Sequence, residues 1–197
     1  MNISKITTYL FFISIFITSC SDSNDFQYYD IENQEVVFID NNQSSYEVGD
    51  ILWFNMNIES KQNEKSTDKE INIFNLTEAT ETFFSFSVFQ INDEDFSPVA
   101  FNQDNIIEEI GKLNIGFNEE PQNTRLLGVA PYSDGNYVLR IGIPLENTGN
   151  YFLANDGVGS GKQGLTFNSN NGENKQINFT TKISNSDSDG RFYFTVN

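Results

Sequence analysis

The sequence contains no histidine and a single cysteine, Cys20, in 197 residues. Without an imidazole, Ser-His-Asp and Cys-His nucleophilic arrangements are excluded. The usual zinc sites, which draw on His and Cys, go with them. One cysteine cannot close an internal disulfide, so the fold has to be held by its core. Proline is scarce, four in all, and no proline-rich linker divides the chain. The longest apolar core, residues 9–17, is nine residues, well short of the ~20 that span a bilayer as a helix. Basic residues are few as well, 11 Lys and Arg against 28 Asp and Glu. Binding to nucleic acid needs clustered cations, so no nucleic-acid partner is expected.

What is present at the N-terminus is ordered by function. Lys5 precedes the apolar core, and Thr18-Ser19 leads directly to Cys20, which is the layout of a secretory signal peptide. The quartet Ile17-Thr18-Ser19-Cys20 resembles the lipobox of bacterial lipoproteins, with Ile where Leu is usual. The resemblance implies that residues 1–19 are removed and that Cys20 carries a thioether-linked lipid as its membrane anchor. Removing the leader takes away one cation, leaving ten against 28 acids and a mature net charge of −18. Ser21-Asp22-Ser23-Asn24-Asp25 resembles the acidic export signal of surface lipoproteins of the Bacteroidota, and a merely solvated linker would look the same. The implied address is the cell envelope, lipid-anchored to the outer membrane and surface-exposed.

Residues 20–34 are rich in Ser, Asp, Asn and Gln, a composition that buries too little apolar area to order itself. They read as a flexible tether, which leaves residues 35–197 as one domain of ordinary size. Within it, Leu52, Phe54, Met56 and Ile58 alternate with polar residues, as do Phe84, Phe86 and Val88, and Tyr137, Leu139, Ile141 and Ile143. Ile177, Phe179 and Ile183 continue the pattern, followed by Phe192, Phe194 and Val196. Period-two alternation bounded by Gly, Asn and Asp marks half-buried strands. The turn-rich stretch 184–190 predicts an antiparallel hairpin between the last two strands, residues 59–70 a long hairpin loop, and residues 105–110 the one short helical turn. The class is therefore all-β, an antiparallel sandwich.

Two loci resemble an immunoglobulin-like domain with extra strands or long loops. Gly49-Asp50-Ile51-Leu52-Trp53-Phe54-Asn55-Met56 resembles the start of its strand B. Asn147-Thr148-Gly149-Asn150-Tyr151-Phe152-Leu153 resembles the tyrosine corner before strand F. The resemblance places Met56 and Leu153 where bridged members have cysteines, and Trp53 departs from it by lying on strand B.

Few motifs suggest chemistry. Gly159-Ser160-Gly161-Lys162-Gln163-Gly164 has dinucleotide-loop spacing, but Leu165-Thr166-Phe167 alternates as a strand where such a loop needs a helix. Asn185, Asp187 and Asp189, ahead of Gly190, match the first half of a calcium loop; Val196 stands where its bidentate Glu belongs, leaving a weak calcium site or a plain polar turn. Asn92-Asp93-Glu94-Asp95 is a second acidic turn. Trp53, Tyr132 and Tyr137 are candidates for a sugar platform, or packing residues. No cofactor beyond the lipid on Cys20 is expected, and no catalytic residue. The expected function is a non-catalytic surface module that binds or spaces an unknown partner, protein or glycan. The alternatives are a carbohydrate-binding accessory lipoprotein of a glycan-uptake system and, further off, a hydrolase using a carboxylate pair.

Overall fold

The computed structural model describes residues 27–93, 95–116, 124–154, 163–168 and 174–197. They form an all-β fold. Its strands are β1 (Gln27–Glu32), β2 (Val37–Ile39), β3 (Ser45–Tyr46), β4 (Ile51–Glu59), β5 (Lys61–Asn63), β6 (Glu70–Asn72), β7 (Glu81–Asn92), β8 (Asp95–Pro98) and β9 (Ile107–Ile110). They continue with β10 (Lys112–Ile115), β11 (Leu126–Ser133), β12 (Asn136–Pro144), β13 (Gly149–Ala154), β14 (Gln163–Asn168), β15 (Lys175–Thr181) and β16 (Phe192–Val196). A single-turn helix, α1 (Ile73–Thr77), precedes β7.

One curled sheet runs β2-β4-β12-β11-β7-β13-β16-β3, with β8 added to β7, β9 to β12 and β10 to β11. The curl turns on β7, whose residues 81–86 pair with β11 and 87–91 with β13. The two arms thereby face each other. Phe54 on β4 stacks on Phe86 of β7 at 4.2 Å, although two strands separate them in the sheet. The alternating residues of β4, β7, β12 and β16 named from sequence, Met56 among them, are all buried in the common core, as is Leu153 of β13.

Three sequence expectations are corrected. Residues 27–32, assigned to the tether, form β1, paired in parallel with β15 from Gln27 to Glu32; Ile31 is buried there, and one apolar side chain with a full ladder outweighs the polar composition. Residues 107–110 are strand β9 on β12, because β12 offers an open edge that tertiary pairing fills. The last two strands do not form a hairpin: β15 pairs with β1 and β14, whereas β16 pairs with β13 and β3. Residues 184–190 carry the chain between sheets, and Ile183 bridges to Val37 on the way. The stretch 59–70 is partly strand, with β5 and β6 paired from Lys61 opposite Asn72.

Candidate functional site

Strand alternation that sends Leu52 and Phe54 inward sends Ile51, Trp53 and Asn55 to the outer face of β4. The register then builds rows across three strands. Trp53 lies opposite Gly142 on β12, which lies opposite Ile107 on β9; Asn55 lies opposite Arg140, which lies opposite Ile110. A Cβ on Gly142 would stand 3.1 Å from two atoms of the Trp53 ring and 2.8 Å from Ile51 Cγ2. The missing side chain is therefore what lets the indole lie across β12.

Arg140 covers that indole, its guanidinium carbon 4.4 Å from the ring centroid. Four bonds fix it there. Nη1 and Nη2 donate to the two carboxylate oxygens of Asp40 at 2.9 and 2.8 Å, Nε donates to Glu109 at 3.0 Å, and Nη1 also donates to Asn55 Oδ1 at 2.8 Å. Asn55 closes the ring by donating to Asp40 at 2.7 Å. Hydrogen bonds from Arg140 hold the Asp40 carboxyl below the usual carboxylate range, against the opposing pull of desolvation. Bidentate planar pairing of this kind is specific to arginine.

Around this clasp the face is apolar. Ile107 and Ile110 are 38 % and 41 % exposed, and Phe38, Ile51 and Pro144 are half-buried. Glu108 turns along the edge, where its carboxylate accepts from Leu113 N at 2.8 Å. The carboxylates of Asp40 and Glu109 are both bound by Arg140. The arrangement offers aliphatic and indole area beside two acids.

The residues named from sequence are scattered. Cys20 and the acidic stretch behind it lie outside the described residues, as do Glu94 and Gly159 to Lys162. Asp187 Oδ1 accepts from the amides of Asp189 and Arg191, both at 2.8 Å, and Asn185 has φ 59°. That carboxylate oxygen organises the turn itself. Among the described residues no three His, Cys, Asp or Glu gather as a metal-holding group; a site made of Asn185, Asp187 and Asp189 has only two such residues. Tyr137 is fully buried and donates to Ala79 O at 2.9 Å; burial pushes its phenol pKa up. Tyr132 stacks on Phe74 at 4.1 Å. The two are packing residues, not a platform. A cleft of about 230 Å³ beside the β12–β13 turn is lined by Phe101, Asn102, Asn105, Glu146 and Tyr151, with Asn105 donating to Glu146 at 3.0 Å.

Sequence reasoning singled out Trp53 but missed Arg140, Asp40, Asn55 and Glu109. The available signal was Gly142, a glycine inside an otherwise regular strand, which marks a close approach. Comparison with family models, curated proteins and solved structures finds no match to this chain.

Proposed function

We propose that this chain is a lipid-anchored, non-catalytic, immunoglobulin-like module that binds a protein partner through the outer face of β4, β12 and β9. The carrying observation is the clasped Arg140–Trp53 pair flanked by Ile107 and Ile110. Trp and Arg in a partly desolvated centre form the composition of interface hot spots. Exposed isoleucines have no ring face for a sugar to stack on, so a protein fits better than a glycan. Two carboxylates, on Asp40 and Glu109, flank one guanidinium, so the partner surface carries cations around an apolar centre.

Several features support the immunoglobulin-like part of the reading. The N-terminal edge is shared between arms, with β2 antiparallel to β4 and β3 parallel to β16. Tyr151 OH donates to Asn147 O at 3.0 Å, the upstream backbone bond of a tyrosine corner, and Gly149 just before it has φ +149°. Tyr151→Phe should then lower the urea-unfolding free energy by about 1 kcal/mol, the net worth of one hydrogen bond. An unchanged midpoint would return the fold to an unspecified β-sandwich.

The partner reading is tested in cells by placing a photo-crosslinking amino acid at Ile110 and, separately, at Ser97 on β8. Discrete adducts at 110 that weaken with salt, and none at 97, are expected. A glycan bound by the wild type and lost in Trp53→Ala, with no adduct at 110, would replace the protein partner with a sugar. Metabolic fatty-acid labelling checks the anchor: Cys20→Ala should lose the label.

A further inference from the structure

We infer that the edge built by β1 and the β5–β6 hairpin is a membrane-facing surface that lies on the headgroup layer carrying the anchor, an inference that rests on lipidation of Cys20. Its first support is the way β1 is held. Beyond the ladder to β15, Asp30 O accepts from Lys65 N at 2.7 Å, Asp30 Oδ1 accepts from Asn178 Nδ2 at 2.9 Å, and Lys65 Nζ bonds Glu32. The chain is thus fixed from Gln27 onward, with six residues, 21–26, between it and Cys20. The seven Cα steps from Cys20 to Gln27 reach at most ~25 Å at ~3.6 Å each. A domain of this length has a radius of gyration of about 15 Å and a width near 40 Å. The leash is shorter than the domain is wide, so the side where β1 begins is kept toward the bilayer.

The second support is what that side displays. Tyr28 is 57 % exposed. With Tyr29, Thr67, Lys69 and Leu76 it lines a groove of about 540 Å³ between β1, the hairpin and α1. Tyrosine, apolar in its ring and polar at its tip, is enriched at membrane–water interfaces. Charge points the same way. Lys61, Lys65 and Lys69 are on or beside the hairpin, and Lys175 stands opposite Gln27, so four of the ten mature cations gather here. Against them stand seven acids, Asp30, Glu32, Glu35, Glu59, Glu64, Asp68 and Glu70, a net charge of −3 where the mature chain carries −18. Charges more than ~10 Å from the headgroups are largely screened. An edge that carries so small a share of the negative charge can lie on an anionic surface at low electrostatic cost.

The test uses the full chain, lipidated and reconstituted into phosphatidylethanolamine–phosphatidylglycerol vesicles containing lipid with a nitroxide on its headgroup. An environment-sensitive dye is attached to Thr67→Cys on the hairpin or to Ser97→Cys on β8; the lipid blocks the sulfur of Cys20. Quenching and a blue shift at 67, with little of either at 97, are expected. Fatty-acid label and vesicle flotation are read on the same samples. Labelled protein that floats but is quenched equally at both positions, or at neither, overturns the membrane-facing surface and leaves the lipoprotein reading standing. Protein that carries no label and does not float overturns both.

Discussion

On one outer face Arg140 lies over Trp53 and is held by Asp40, Glu109 and Asn55; on the other, Arg191 sits 5.0 Å from the Phe152 ring and 5.6 Å from Phe96. Both faces therefore carry an arginine over aromatics, with different surroundings. Behind Arg191 the rings of Phe89, Phe96 and Phe152 form a small apolar cluster of their own, with Phe89 stacked on Phe152 at 4.9 Å and Phe96 edge-on to both. Arg191 donates a side-chain hydrogen bond to Tyr193, itself 44 % exposed, which raises the Arg191 pKa. Among the described residues no separate aromatic cluster lies behind Arg140; the indole rests on Gly142 and the guanidinium is aimed by carboxylates. A ring stack stabilises the fold by burial, whereas a clasp of carboxylates fixes orientation and contributes little free energy at a half-exposed position. The Arg191 face is read as architecture, the Arg140 face as the binding surface proposed above.

The comparison is broken most directly at Phe152. If the aromatic face is a second core, Phe152→Ala should destabilise by roughly 3–5 kcal/mol, the range for truncating a buried aromatic. Equilibrium urea unfolding measures it. A loss no larger than that of an exposed-strand control such as Phe83→Ala would mean that the cluster is surface decoration and that the two faces are alike.

Gly142→Val sharpens the other side. Valine suits a strand in general, yet here its side chain would meet Trp53 and Ile51 closer than ordinary contact allows. Overpacking of this kind costs about 1–3 kcal/mol. Displacing the indole should also raise its emission wavelength, and Trp53 is the sole tryptophan, so fluorescence reports on it alone. Unchanged emission with unchanged stability would show that the indole does not rest on this glycine.

These two residues also show what was readable beforehand. Faces were readable: period-two alternation identified the core sides of β4, β7, β12 and β16 because burial is imposed residue by residue along a strand. Partners were not. The parallel pairing of β1 with β15 joins segments about 148 residues apart, and no local pattern names a partner at that distance. The short α1, with Asn72 as its N-cap accepting from Asn75 N, spans too few residues for a helical period to emerge. The clasp failed to show for the same reason. Asp40, Asn55, Glu109 and Arg140 each look like solvated polar residues in sequence, and only the register brings them together. The Tyr151 hydroxyl bond was readable because it is local, four residues from the carbonyl it meets.

The smallest effect is expected at Asp40, where the clasp itself is tested. Asp40→Asn keeps a side-chain oxygen for Arg140 but removes the charge and puts an amide where the second carboxylate oxygen accepted. The side chains of Asp40 and Arg140 are 31 % and 26 % exposed, so solvent screens the pair and the loss should be about 1 kcal/mol or less. Its pH dependence is more diagnostic than its size. Arg140 depresses the folded carboxyl of Asp40, and the unfolded value is ~3.9. A depressed carboxylate contributes stability that is fully present above the unfolded pKa and disappears as pH falls through the folded one. The difference between wild type and Asp40→Asn should hold steady across neutral pH and close only below ~4. Urea midpoints of both proteins, measured from neutral pH into that range, test this. A gap that persists unchanged at the acid end would mean that Asp40 is held by shape rather than by charge, and Arg140 would then be anchored mainly by Glu109 and Asn55.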